Sequence, residues 1–169
     1  MKRLFLATVM VALCSFSLAQ VMPKDDPNLS DAEKAVMKPI EDLFNGMRAG
    51  DSSMVHSAFY TKVTMHTSFT GRDGKPALRE GSLDRFLIAV GTPHDVVWDE
   101  PIWDYEVRID GNLAQVWTKY AFYAGENFSH CGVDAFHLTR TDGGWKIFHL
   151  TDTRQKEGCD IPEEVKKNR

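Results

Sequence analysis

The spacing of hydrophobic residues along this chain changes from helix-like to strand-like, and this change limits the folds that the chain can adopt. Three helix-like segments come first, interrupted by one strand-like segment at 62–69, and strand-like segments then follow from residue 95 to residue 154. Helices grouped before antiparallel strands are typical of an α+β domain with its helices on one face of a sheet. We therefore predict three N-terminal helices packed on a curved, mostly antiparallel sheet.

Capping residues mark where the predicted helices begin. Ser30 and Glu33 form a capping box for the first helix, Asp51 can cap a short second helix, and Ser82 can cap a third. Pro39 lies inside the first helix, where a missing N–H and a bulky ring disfavour helical backbone. We expect Pro39 to kink that helix or to divide it.

The strand-like segments after the third helix are separated by turn sequences rich in Gly, Asn and Asp. Residues 71–81 read as a polar loop, and residues 155–169 as a charged, loosely held tail. The predicted strands cover 62–69, 95–100, 102–109, 113–123, 128–140 and 144–154.

The N-terminus is typical of a secretory signal. Lys2 and Arg3 precede a short apolar run that ends in the small residues Ser17 and Ala19. We predict a cleaved signal peptide over 1–19, a leader over 20–29, and export to the periplasm or the extracellular space. Loss of Lys2 and Arg3 would take the net charge from −4 to −6, a balance that argues against nucleic acid as a partner. No further segment is long and apolar enough for a membrane span.

Two cysteines, Cys131 and Cys159, lie outside the predicted signal. In an oxidising compartment such a pair most simply forms a disulfide. Two free thiols or a metal site are the alternatives that the sequence leaves open.

The order of elements, with "RAGD" at 48–51 and "GGWKIFHL" at 143–150, resembles the NTF2-like superfamily. That superfamily includes nuclear transport factor 2, the SnoaL-type polyketide cyclases and ketosteroid isomerase. The resemblance covers residues 30–154. It implies a cone-shaped domain with a pocket between the helices and the concave sheet, and dimerisation through the outer face of the sheet.

The stretch "SHCGVDAFHL" at 129–138 carries two histidines, a cysteine and an aspartate. Because strand side chains alternate between faces, His130 and Asp134 share one face while Cys131 and His137 share the other. His130 and Asp134 would also lie about 13 Å apart at ~3.3 Å per residue. We therefore expect no metal site here, and we expect no cofactor.

The resemblance to ketosteroid isomerase implies roles for two residues. Asp134 falls near the aspartate that donates a hydrogen bond to the developing oxyanion, and the catalytic base falls at or beside His66. The tyrosine of that enzyme is replaced by Leu43, so steroid isomerisation is not expected. His66 and Asp134 are the candidate catalytic pair.

Three further residues are candidates for the wall of the pocket: Trp117, Tyr120 and His130. Trp117 and Tyr120 lie on opposite faces of one strand, so at most one of the two should face the cavity.

We predict that the protein binds a small, largely apolar molecule in its pocket. The alternatives are a SnoaL-like enzyme that transfers protons with His66 and Asp134, and a dimeric interaction module without catalysis. Aromatic side chains on the outer sheet would leave an apolar patch that a monomer rarely tolerates, so we also expect a homodimer.

Overall fold

A computed structural model describes residues 28–167, which form four helices and seven strands. The helices are α1 (Asp31–Ala49), α2 (Ser52–Ala58), α3 (Leu83–Gly91) and α4 (Glu163–Lys167). The strands are β1 (Phe59–Thr70), β2 (Pro76–Glu80), β3 (Trp98–Asp99), β4 (Ile102–Asp110), β5 (Leu113–Ala124), β6 (Asn127–Thr141) and β7 (Gly144–Thr153).

The predicted caps of the first three helices are confirmed. The Ser30 hydroxyl accepts a hydrogen bond from the Glu33 N–H, and the Glu33 carboxylate accepts one from the Ser30 N–H at 2.8 Å. Asp51 accepts from two backbone N–H groups at the start of α2, and Ser82 accepts from one in α3. These contacts satisfy N–H groups that have no partner within the helix.

Helix α1 runs unbroken through Pro39, so the second of the two expected effects, division of the helix, is wrong. Pro39 is itself buried in the face of α1 that packs on the sheet, and this burial offsets the cost of the lost backbone hydrogen bond. Phe44 of that face meets Phe136 of β6 edge to face, with 6.3 Å between the ring centroids. This contact joins helix and sheet in the main core.

The seven strands form one sheet in the order β2-β1-β7-β6-β5-β3, with β4 also paired to β5. Strands β1 and β7 pair in parallel. The other pairings are antiparallel: β1 with β2, β5 with β3 and with β4, and β6 with β5 and with β7. The mostly antiparallel α+β arrangement predicted from the sequence is thereby confirmed. The inner face of the sheet carries the apolar side chains that pack on α1.

Two predicted segments differ from the structure. Residues 76–80 form strand β2 rather than part of a loop, because they pair along the exposed edge of β1. Such an edge strand is solvated on both faces and so lacks the apolar alternation that would reveal it. The segment predicted at 95–100 is a strand only over Trp98–Asp99.

The C-terminal tail is held to the sheet, so the prediction of a loose tail is wrong for the residues described. Cys131 and Cys159 form the predicted disulfide, and Gln155 pairs with Cys131 through two backbone hydrogen bonds of 2.9 Å. Val165 of α4 is buried. These contacts fold residues 155–167 back on the domain.

Within the described part of the chain, no helix has the length and apolar character needed to cross a membrane. The predicted signal peptide and most of the predicted leader lie outside the described residues.

Candidate functional site

A cavity of about 220 Å³ lies between the helices and the inner face of the sheet. Its helix side is apolar, because α1 and α3 contribute only hydrocarbon, thioether and phenyl groups to the wall. The apolar lining residues are Leu43, Phe44, Met47, Met65, Phe86 and Leu150.

The sheet side of the cavity is polar because the strand register aligns polar residues on one face. Asp134 of β6 lies opposite Asp152 of β7, which in turn lies opposite Thr67 of β1. Residues directly opposite one another point to the same face of a sheet. A row of polar side chains therefore crosses the sheet beneath the cavity.

Asp134 is the most unusual member of this row. Its side chain is buried, with 3 % of the residue exposed, and its Oδ2 atom has no hydrogen-bond partner. Burial raises the pKa of Asp134 well above its usual value of 3.8, and the negative charges of Glu100 and Asp152 raise it further. The cavity therefore favours the neutral, protonated form of the Asp134 carboxyl.

Glu100 also borders the cavity, directly after β3 and before Pro101. Burial, and then the charge of Asp152, raises the pKa of Glu100 from 4.5 to about 8, and Arg154 opposes this shift. A carboxyl with a pKa near 8 can exchange its proton close to neutral pH.

Asp152 and Arg154 form an ion pair on the cavity wall, with 2.5 Å between Asp152 Oδ2 and Arg154 Nε. The Tyr120 hydroxyl donates to the Thr153 carbonyl at 2.8 Å and lies 3.3 Å from Asp152 Oδ2. Burial raises the pKa of Tyr120, so its phenol stays protonated. Since that proton is already donated within the wall, Tyr120 offers the cavity mainly its ring.

His130 lies on the cavity wall, as predicted, beside the rings of Tyr120 and Phe122. Its Nδ1 is 2.9 Å from the Ser129 hydroxyl. Burial lowers the pKa of His130 to about 4, and the positive charge of Arg154 acts in the same direction. His130 is therefore neutral at pH 7.

The structure does not bring His66 and Asp134 together as a catalytic pair. His66 lies opposite Thr151, whereas its neighbour Thr67 lies opposite the cavity residue Asp152. The His66 imidazole therefore points to the outer face, where its ring centroid is 5.7 Å from that of His149. His66 borders the cavity without facing its polar row.

The prediction of Trp117 as a pocket residue is wrong. Trp117 is 47 % exposed and lies on the outer face of β5, next to Glu106, Arg108 and Gln115. Tyr120 is three positions further along the strand and so faces inward. Of this pair, only Tyr120 lines the cavity.

Three charged residues of the cavity wall are not among those predicted from the sequence: Glu100, Asp152 and Arg154. Alternation along "HLTDTR" was the available signal for Asp152 and Arg154, because both follow Leu150 at steps of two. Glu100 lies outside any regular strand and gave no such signal. Among residues 28–167, no three or more His, Cys, Asp or Glu side chains are arranged to hold a metal ion.

Solved structures share this architecture at low sequence identity. An NTF2-like protein of unknown function from Shewanella baltica is 17 % identical, with a TM-score of 0.54 over 77 % of this chain and 100 % of that one. An NTF2-like protein with a cystatin-like fold from Novosphingobium aromaticivorans is 10 % identical, with a TM-score of 0.58 over 79 % and 88 %. A "putative dehydratase" of the NTF2-like family from Streptomyces avermitilis is 13 % identical, with a TM-score of 0.54 over 73 % and 96 %. These likenesses establish the fold.

No curated protein has a significant sequence match to this chain. A family model described as "Putative lumazine-binding" matches residues 31–150, which span helices α1 to α3 and all but the last three residues of the sheet. The chain therefore belongs to that lumazine-binding-like family, and its fold is the one that the NTF2-like structures share.

Proposed function

We propose that this protein binds a small molecule in the cavity between the helices and the sheet, with one polar group of the ligand placed against Asp134. The observation that carries this proposal is the buried Oδ2 atom of Asp134, which has no partner in the protein. A buried polar atom without a hydrogen bond costs roughly 1–3 kcal/mol. A ligand that supplies the missing partner recovers that free energy on binding.

The shape of the cavity limits the ligand. A volume of about 220 Å³ is below the ~300–1,000 Å³ typical of pockets for drug-sized molecules. The apolar helix side can cover a hydrocarbon or aromatic body, while the opposite wall presents the polar groups. The family description supports small-molecule binding and suggests lumazine as a first probe.

The substitution Asp134→Asn tests this role. Asn keeps the shape of the side chain but cannot ionise, so we expect the variant to fold normally. Because the pKa of Asp134 is raised in the folded state, wild-type stability falls as the pH rises above ~4. Because Asn does not ionise, the variant does not lose stability in this way as the pH rises. Thermal melts at pH 7 should therefore give the variant an unchanged or higher melting temperature than the wild type.

Ligand binding should weaken in the same variant. Lumazine and a set of small aromatic fragments are first tested on the wild type by ligand-observed NMR. We expect the probes that bind to lose affinity at least tenfold in the variant, since hydrogen bonds to charged groups are worth about 1.5–3 kcal/mol. The matched control is Glu106→Gln on the outer face, which should bind like the wild type. A melting temperature lowered by the equivalent of 1–3 kcal/mol, with no probe bound by the wild type, would assign Asp134 to the scaffold instead.

Acid–base catalysis is the second candidate function, and Glu100 is the observation that favours it. A carboxyl with a pKa of about 8 beside a neutral Asp134 gives one group to exchange a proton and another to donate a hydrogen bond. Chemical turnover of a bound probe, lost in Glu100→Gln, would move the assignment from binding to catalysis.

We also propose that the protein is exported through its N-terminal signal and forms a homodimer. The exposed side chains of Trp117 and Leu113 on the outer face support the dimer. Light scattering of the chain without residues 1–19 should give twice the monomer mass of ~17 kDa at micromolar concentration. A monomer mass across that range would contradict the dimer.

A further inference from the structure

The cavity wall contains more acidic groups than basic ones. Glu100, Asp134 and Asp152 border it, and Arg154 is the cation among the lining residues. Arg154 is already paired with Asp152 at 2.5 Å. Two carboxyls, those of Glu100 and Asp134, are therefore left without a cation in the wall.

The remaining titratable groups around the cavity do not change this balance. His130 has a pKa of about 4 because of burial and is neutral at pH 7. His66 borders the cavity with its ring on the outer face, and Tyr120 keeps its proton. Helices α1 and α3 place no acidic or basic side chain in the lining. The negative charge of Asp99 also raises the pKa of Glu100, although Asp99 is itself paired with Arg48 of α1 at 2.7 Å.

A buried carboxyl can be satisfied in two ways. It can take up a proton, the form that the raised pKa values of Glu100 and Asp134 favour, or it can ionise against a cation. A cation that enters the cavity gains the attraction of both carboxylates, and the Asp134 oxygen that lacks a partner gains a hydrogen-bond donor.

We infer that the polar group of the ligand is a protonated amine, and that the cavity takes a small organic ammonium ion with an apolar or aromatic body held between Asp134 and Glu100. This inference rests on the proposed binding of a small molecule in the same cavity. It assigns the ligand's positive charge to the two carboxyls and its body to the apolar helix side.

The walls around the two carboxyls suit such a ligand. The rings of Phe44, Phe86 and Tyr120 line the cavity, and aromatic faces attract ammonium groups that have lost their water. In their ionised form the same carboxyls repel anionic ligands. The Asp152–Arg154 pair supplies little net charge because its two members compensate each other.

Binding of a cation must then release protons. The raised pKa values of Glu100 and Asp134 favour their protonated forms in the free protein, whereas a bound ammonium ion favours ionised carboxylates, so binding releases protons. Affinity should consequently rise with pH, about tenfold per pH unit for each proton released, until the pH reaches the pKa of about 8 of free Glu100. A neutral ligand would show no such dependence.

The experiment compares matched probes by titration calorimetry. Benzylamine and phenethylamine are titrated into the wild type at pH 7 in two buffers of different ionisation enthalpy, beside benzyl alcohol and 2-phenylethanol. We expect the amines to bind at least tenfold more tightly than the alcohols and to release one to two protons. Glu100→Gln and Asp134→Asn should each weaken amine binding at least tenfold and reduce the number of protons released, while Glu106→Gln should match the wild type.

Two results would overturn the inference. The first would leave the proposed small-molecule binding intact, and the second would contradict that proposal too. If the alcohols or lumazine bind as tightly as the amines and no proton is released, the cavity binds neutral ligands and small-molecule binding stands. If neither the amines nor the neutral probes bind the folded wild type, the proposed function fails as well.

Discussion

Replacement of Arg48 by Met should lower the free energy of unfolding by about 3–5 kcal/mol. Arg48, near the end of α1, donates through Nε to Asp99 Oδ1 at 2.8 Å and through Nη1 to Asn45 Oδ1 at 2.9 Å. Asp99 is 7 % exposed. Met retains the aliphatic packing of Arg48 but leaves Asp99 as a buried carboxylate without a cation. For a domain of this size, the melting temperature should fall by roughly 10 °C.

Chemical denaturation of three variants checks this expectation. Arg108→Met is the matched control, because Arg108 pairs with Glu106 on the exposed outer face and should change stability by less than about 0.5 kcal/mol. The double variant Arg48→Met/Asp99→Leu removes both charges and should recover most of the loss. If the free energy of unfolding of Arg48→Met lies within about 1 kcal/mol of the wild-type value, the Arg48–Asp99 pair does not secure α1 to β3.

Removal of the disulfide should be nearly as costly. Cys131 and Cys159 are 28 residues apart in sequence, and a cross-link that closes a loop of this length stabilises the folded state by about 3.5 kcal/mol in the chain-entropy model. The double variant Cys131→Ser/Cys159→Ser should therefore unfold at a clearly lower denaturant concentration. Most of the effect arises because the unfolded chain gains freedom.

Reduction provides the control for the disulfide. Dithiothreitol should destabilise the wild type to the level of the double variant and leave the variant unchanged. Non-reducing mass mapping of the wild-type protein should show one linked peptide that contains both cysteines. Free thiols in that material, or equal stability of the wild type and the variant, would contradict the prediction.

The sequence was sufficient to predict the fold because its signals are local. Ser30, Asp51 and Ser82 each mark a helix start through contacts with residues two or three positions away. The long strands follow from alternation within ten or so residues. Strand β2 was not predicted, because its stability comes from pairing with the edge of β1 and not from burial of its own side chains.

The site was predictable only in part because it depends on contacts distant in sequence. Alternation within well-patterned strands put His130 and Asp134 on one face and separated Tyr120 from Trp117, but only the strand register shows that Tyr120, His130 and Asp134 share the inner face. For His66, a shift of one residue in β1 decides between the cavity and the outer face, and β1 is irregular between Phe59 and Thr64. The charge excess of the cavity depends on Glu100, whose position is set by tertiary contacts alone.

The position of β7 has a consequence for how the chain reaches its folded state. The last strand in sequence lies inside the sheet, between β6 and the first strand β1, to which it is parallel. Strands β1 and β2 therefore have no link to the rest of the sheet until residues 144–153 are in place. Contacts this distant in sequence close late and slowly, since the entropy of the large loop is lost first. A nascent chain that ends before β7 therefore lacks the strand that joins β1 to β6, and it also lacks Leu150 and Asp152 of the cavity wall.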